Sequence, residues 1–260
     1  CAAQFLDTKA RLGRVELTRS GSESYRQRNE AVYMADGGKS KLIETCIGTG
    51  EGYFRAMESL GYTVWQDKEL LLMGCGKVGQ GILRSGVDRG AQVTVVTDAS
   101  LVGDNIREKC ARVIDYRDRE AVEKAALESY ALVSATGQIG AVGRTIEPRT
   151  LIESDLLLAN MGAEDEFGES FPDSRVLAEK GSLNFILKDP TSLKYIDATL
   201  ALHNYGAVYV IENPQMEGIV TPDQHQEDQL LRETLHYGII SEDLVMLSEA
   251  PYNIDIEKLK

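Results

Sequence analysis

The run G-C-G-K-V-G-Q-G, from Gly74 to Gly81, constrains this chain more than any other stretch. It follows the short apolar run Glu69 to Met73 and opens a helix-like stretch, Ile82 to Arg89, after which Q-V-T-V-V-T (Gln92 to Thr97) is rich in β-branched residues. Strand, glycine turn, helix and strand in that order describe a β-α-β unit, because two parallel strands need a crossover element between them. Gly74, Gly76 and Gly79 hold the spacing G-x-G-x-x-G, with Lys77 and Val78 between the last two. In that spacing the first glycine permits a tight turn, the second lets backbone approach a pyrophosphate, and the third lets helix and strand pack closely. The helix start adds free N–H donors and a positive dipole. An acid about 20 residues on should end the second strand and accept the ribose hydroxyls, and Asp98 stands there. A glycine-rich turn also occurs in α/β domains that bind nothing, and Asp98 could cap a helix instead. The full succession selects a dinucleotide site. A carboxylate at position 98 repels a 2′-phosphate, and no arginine follows Asp98 within three residues to offset it, so NAD is favoured over NADP.

Further alternations extend the pattern. Helical stretches are expected at Asn105 to Cys110, Arg119 to Ser129 and Ser174 to Lys180, and strands at Arg112 to Tyr116, Ala131 to Thr136, Leu156 to Asn160 and Leu183 to Leu187. About six strands alternating with helices imply an α/β fold: a doubly wound parallel sheet, Rossmann-like, with flanking helices. Glu51 to Leu60 should form a helix before the glycine turn, stopped by Gly61. Thr191 to Ile211 carries apolar residues at helical spacing, which suggests a helix in the core or at a contact between protomers, and another helix is expected from about Asp223 to Tyr237. These boundaries divide the chain into an N-terminal segment, 1–35, a dinucleotide-binding domain, 36–212, and a C-terminal helical segment, 213–260. The chain opens at Cys1 on a stretch with no clear period, like a piece entered midway, so 1–35 reads as an irregular N-terminal segment or the remnant of a preceding domain.

Composition narrows the partners. The 41 acidic residues outnumber the 28 basic ones, for a net charge of −13, and no basic patch offsets it. Such a chain is repelled by nucleic acid and by anionic lipid. No apolar run reaches the length of a membrane span. Cys1, Cys46, Cys75 and Cys110 lie far apart with no histidine cluster, so neither disulfides nor a metal site is expected. A reducing cytoplasm fits best. Cys46 and Cys75 read as small buried hydrophobes. His203 reads as a packing or interface residue rather than a proton carrier, and His225 and His236 as exposed.

The run D-G-G-K-S-K-L-I-E-T-C-I-G-T-G-E-G (Asp36 to Gly52), leading into the glycine turn and V-T-D, resembles S-adenosylhomocysteine hydrolase. That family carries N-D-S-V-T-K-S-K-F-D-N-x-Y-G before its own glycine turn. The resemblance continues at A-N-M-G (Ala159 to Gly162, family N-I-G-H), G-S-L-N (Gly181 to Asn184) and K-D-P (Lys188 to Pro190, family G-H-P), and covers residues from about 36 to about 240. It implies bound NAD, a homo-oligomer, and a reaction in which NAD oxidises a ribose hydroxyl, a thiol leaves by elimination, water adds and the ketone is reduced again. Lys39 matches the family's lysine, and Glu44, across one inserted residue, matches its carboxylate. These two are the expected catalytic pair. Thr45, Thr136, Gly137, Asn160, Gly162 and Asn184 join Gly74, Gly76, Lys77, Val78, Gly79 and Asp98 as expected cofactor contacts. The family's two active-site histidines fall on Ala163 and Asp189, and its terminal lysine and tyrosine tail is replaced by N-I-D-I-E-K-L-K. The expected function is oxidation, complete or transient, of a hydroxyl on a nucleoside-like or other small polar substrate. There are two alternatives: a 2-hydroxy-acid dehydrogenase, with Arg144 and Arg149 available for a carboxylate, and a regulatory subunit that binds NAD but is catalytically silent.

Overall fold

The computed structural model describes residues 10–26, 28, 30–240, 242–249 and 252–259. Cys1 and the rest of residues 1–9 of the expected N-terminal segment lie outside them. Among the described residues the strands are β1 (Arg14–Glu16), β2 (Val32–Met34), β3 (Glu69–Met73), β4 (Gln92–Thr97), β5 (Arg112–Asp115), β6 (Ala131–Ser134), β7 (Leu157–Asn160), β8 (Leu177–Ser182) and β9 (Ile219–Val220).

Strands β3 to β8 form one sheet in the order β5-β4-β3-β6-β7-β8, with every pair parallel. The chain starts at the centre, winds outward to β5, returns past β3 and winds out the other way to β8. This is the strand order of the Rossmann doubly wound fold, and its direction reverses between β3 and β6. Apolar runs make the central strands, because both faces of a parallel sheet are covered. Leu70 and Leu72 point to one face, among Tyr53, Phe54, Trp65 and Val93. Leu71 and Met73 point to the other, among Val96, Leu132, Leu158 and Phe167. Burying each such side chain contributes about 1.5–3 kcal/mol. The crossover helix Lys77–Asp88 begins directly after the glycine turn, and the helix Thr49–Ser59 packs in the same unit.

The last strand departs from expectation. Leu183 to Leu187 is not a strand: Leu183–Ile186 forms a 3-10 turn, and β8 lies at Leu177–Ser182, where a helix was expected. The segment pairs with β7 only through Leu177 and Ser182, across an irregularity at Ala159/Asn160. Between those contacts Ala178, Glu179 and Lys180 all have left-handed φ, from 51° to 67°. An edge strand this irregular has no clean period to read, and only Leu183 and Asn184 of the apolar turn are buried.

The chain forms two compact units, Thr45–Ser192 and the described parts of Cys1–Glu44 with Leu193–Lys260. Their limits differ from the expected ones at 35/36 and 212/213. The reason is strand pairing: β2 lies between β1 and β9 in a parallel three-stranded sheet. The helix Leu193–Glu212 packs its buried Leu202 and Val210 with Tyr33 and Ala35. Residues on either side of the sheet unit in sequence thus build the second unit together. The helix Gln224–Tyr237 belongs to it, started by a capping box between Asp223 and Gln226. Among the described residues no helix is long and apolar enough to cross a membrane, and no cluster of potential metal ligands occurs.

Candidate functional site

At the C-terminal end of β3 the chain turns sharply into the helix Lys77–Asp88. Gly74 adopts φ +97°, and a Cβ there would lie 2.4 Å from the Ala135 carbonyl oxygen. A Cβ on Gly79 would lie 2.2 Å from the Gly74 carbonyl oxygen, so helix and turn are in direct backbone contact. Gly76 is different. A Cβ there meets nothing within 4 Å, although the residue is the N-cap and no side chain caps the helix. The first-turn N–H groups, those of Lys77, Val78 and Gly79, have no acceptor within the helix. Gln80 braces the turn by donating Nε2 to the Cys75 carbonyl at 3.1 Å.

Gly74 and Gly76 line a cavity of about 530 Å³ whose other walls include Thr97 and Asp98 after β4, Tyr116 and Arg117 after β5, and Thr136 after β6. It sits at the point where the winding of the sheet reverses, the usual ligand position in such sheets. Asp98 accepts hydrogen bonds from Ser100 N at 3.1 Å, Ser100 Oγ at 2.6 Å and Arg117 Nη2 at 2.7 Å. The bond from Arg117, joined by those from Ser100, holds the Asp98 carboxyl well below the usual carboxylate range. Arg117 Nη1 also reaches Asp115 Oδ2 at 3.1 Å, and its guanidinium lies 4.5 Å from the centre of the Tyr116 ring.

Arg117 thus stands beside Asp98, although no arginine follows Asp98 within three residues. The cation comes from the neighbouring strand rather than from the residues that follow Asp98. Arg119 and Arg144 line the same cavity. Arg119 donates to the Arg144 carbonyl and Arg144 to that of Ile139, and neither pairs with a carboxylate among the described residues. Arg149 does not line it.

The loop after β6 is held from below. Glu166, fully buried, accepts from Ser134 Oγ, from Thr136 N and Oγ1, both at 2.8 Å, and from Gly137 N at 2.6 Å. The sequence reading missed Glu166, because no local pattern distinguishes it from the chain's other acids. A Cβ on Gly162 would lie 2.1 Å from Glu166 Oε1, so Gly162 makes room for that carboxylate. Asn160 is buried, with Nδ2 donating to the carbonyls of Glu164 at 2.8 Å and Lys180 at 2.7 Å, and Oδ1 accepting from Gly162 N at 2.8 Å. Both ends of its amide shape backbone. Asn184 is also buried, its Oδ1 accepting from Ser182 Oγ at 2.9 Å. Thr45 lies in the π-helical turn Ile43–Gly48. Of the twelve expected cofactor contacts, Gly74, Gly76, Asp98 and Thr136 line the cavity.

In the other unit, Lys39 is exposed and donates Nζ to Gln224 Oε1 at 3.1 Å. Glu44 is paired with Lys41, at 2.6 Å, and Lys41 is buried. The ion pair in this segment is thus Lys41 with Glu44, and no hydrogen bond joins Lys39 to Glu44. Buried Glu227 accepts from Ser40 N at 2.8 Å and Ser40 Oγ at 3.0 Å, fixing the K-S-K segment from the helix Gln224–Tyr237. His203 is half-buried, and His225 and His236 are exposed. Cys46 is buried, and burial pushes the Cys75 thiol up to about 11.

No protein-family model matches the sequence, and no curated protein matches it. Among solved structures, a dipicolinate synthase subunit from Bacillus halodurans is similar with a TM-score of 0.47 and 16% identity, over 67% of this chain and 56% of that one. The chain therefore spans little more than half the length of that protein. Shikimate 5-dehydrogenase from Listeria monocytogenes, solved with shikimate and NAD, has a TM-score of 0.39 and 16% identity over 74% of this chain and 80% of its own. D-lactate dehydrogenase from Lactobacillus jensenii, solved with NAD+, has a TM-score of 0.37 and 14% identity over 67% and 69%. The fold is assigned by the strand order and not by these likenesses.

Proposed function

We propose that the unit Thr45–Ser192 binds NAD, and that the chain uses it to oxidise, completely or transiently, a hydroxyl of a nucleoside-like or small polar substrate. The observation that carries the cofactor is Gly76. A helix start with no side-chain cap, a Cβ position with nothing within 4 Å, and a cavity on that side make a cradle of pyrophosphate type. In this reading the N–H groups of Lys77, Val78 and Gly79 bind the pyrophosphate, and Asp98 accepts from ribose hydroxyls. NAD, when bound, supplies a hydride acceptor.

For the chemistry we propose a course resembling that of S-adenosylhomocysteine hydrolase, with Lys39 and Glu44 as the redox and proton-transfer pair. A lysine beside an oxidisable hydroxyl favours its ionised form, and a carboxylate can take a proton. Lys41 is paired with the Glu44 carboxylate at 2.6 Å. Ala163 and Asp189 stand where the family carries imidazoles, so elimination of a thiol lacks its proton carriers. Hydride transfer without hydrolysis is the expected outcome. A cytoplasmic, homo-oligomeric protein is part of the same proposal.

The test is mass spectrometry of any dinucleotide released from the purified protein, with calorimetry of added NAD and an assay on S-adenosylhomocysteine. Bound or bindable NAD with negligible hydrolysis supports the reading. Failure to bind any dinucleotide refutes it, and rapid hydrolysis refutes the role given to the missing imidazoles.

A further inference from the structure

The cavity carries a charge pattern that a site reading only ribose hydroxyls does not need. Arg117, Arg119 and Arg144 line it with one carboxylate, Asp98, and a second carboxylate, Asp115, pairs with Arg117 at 3.1 Å. This happens in a chain whose net charge is −13, so the cavity is a local attractor for anions on an otherwise acidic molecule.

Resting on the dinucleotide reading, we infer that the adenosine end of this cavity accepts a 2′-phosphate as well as a free 2′-hydroxyl, with Arg117 as the anion-binding arm, so that the chain binds NADP alongside NAD. An unpaired carboxylate at the end of β4 would repel a ribose phosphate. Asp98 is not unpaired: Arg117 sits on it at 2.7 Å and the Ser100 hydroxyl at 2.6 Å. The Arg117 side chain is 57% exposed, so the guanidinium can leave Asp98 and Asp115, which it meets at 2.7 and 3.1 Å, and turn toward an incoming phosphate without disturbing the core. Its backbone stays anchored, because Arg117 N donates to Asp115 Oδ1 at 2.9 Å. The planar guanidinium fork matches phosphate oxygens two at a time. With NAD bound, the same carboxylate is available to the ribose diol. One ion pair thus serves both cofactors, Asp98 reading the hydroxyls and Arg117 the phosphate.

The experiment is calorimetric titration of the full chain with NAD, NADP, ADP and 2′,5′-ADP, repeated on Arg117→Ala, Arg117→Lys and Asp98→Ser. Thermal unfolding confirms that each variant is folded, as their exposure predicts. The expected result is NADP binding within about tenfold of NAD in the wild type. Arg117→Ala should then lower NADP and 2′,5′-ADP affinity by about tenfold or more, with NAD and ADP changed by less than about threefold. Arg117→Lys, which keeps the charge and loses the fork, should fall between, and Asp98→Ser should weaken NAD and spare NADP. Wild-type protein that binds NAD but binds NADP more than about tenfold more weakly overturns the inference and leaves the NAD reading standing. So does an Arg117→Ala variant that weakens both cofactors alike. Wild-type protein that binds neither overturns the dinucleotide reading and this inference with it.

Discussion

Replacing Gly76 by valine separates binding from folding at the centre of the site. At φ −75°, ψ −164° the backbone is extended, a conformation that any residue adopts. The new side chain would meet no heavy atom at its Cβ within 4 Å. Valine is a poorer N-cap than glycine, but it also lowers the entropy of the unfolded chain by about 0.4–1 kcal/mol. The two effects oppose each other, so net stability should change by less than about 1 kcal/mol, a melting shift of at most about 4 °C. Binding is another matter. The valine methyls would stand where backbone N–H groups meet the pyrophosphate, and each charge-assisted bond contributes about 1.5–3 kcal/mol. Losing two of them costs about 3–6 kcal/mol, or two to four orders of magnitude in Kd. At a hundredfold excess over Kd, NAD should stabilise the wild type by about 2.7 kcal/mol, raising its melting temperature by about 5–10 °C. Gly76→Val should melt like the wild type without NAD and show no shift with it. Gly79→Ala provides the contrast: a Cβ 2.2 Å from the Gly74 carbonyl must displace backbone, destabilising the protein by about 1–3 kcal/mol. A folded Gly76→Val protein that still binds NAD within about threefold of the wild type would refute the pyrophosphate assignment.

Four other outcomes follow from the same geometry. Because Arg117 depresses the folded-state pKa of Asp98, the pair's contribution is complete above the ordinary carboxylate value of about 3.9 and fades only as pH falls through the lower folded value. Carboxyl NMR should find Asp98 ionised at about pH 3 in the wild type and returning toward about 3.9 in Arg117→Ala; equal midpoints would contradict this. Glu166→Ala leaves Thr136 N and Gly137 N without their acceptor, which should cost about 1–3 kcal/mol per donor left unpaired in urea unfolding, and a total loss under about 1 kcal/mol would show that the loop does not depend on that carboxylate. The helix Leu193–Glu212 leaves Leu193, Leu200, Val208 and Ile211 between 43% and 71% exposed along one face, so sedimentation should detect an oligomer that Val208→Asp weakens, whereas a clean monomer at micromolar concentration rules the contact out. Lys39→Ala, at an exposed position, should keep the fold and NAD affinity but abolish reduction of bound NAD by a true substrate; unchanged reduction removes Lys39 from the chemistry.

What could be read in the sequence, and what could not, divides along a physical line. Features set by residues adjacent in the chain were legible. Leu70 to Met73 must be buried on both faces, Gln92 to Thr97 is rich in β-branched residues, and Gly79 makes its close backbone contact with Gly74, within the turn itself. The strands β3 and β4 therefore fall at the expected residues. Features set by register between distant segments were not legible. The strand Leu177–Ser182 is defined by two contacts with β7 around three left-handed residues, and nothing in L-A-E-K-G-S announces that. The division into units follows from β2 pairing with β9, which joins residues near position 33 to residues near 220. The same holds within the site. Asp98 could be located by counting from the glycine turn, but its partner is 19 residues further on and reaches it only because β4 and β5 are neighbours in register, Thr97 opposite Asp115. A local search for a cation beside Asp98 was bound to miss Arg117. Discrimination between the two cofactors therefore depends on the pairing of two strands, and a substitution that shifted β5 by one residue would alter it without touching the glycine turn or Asp98.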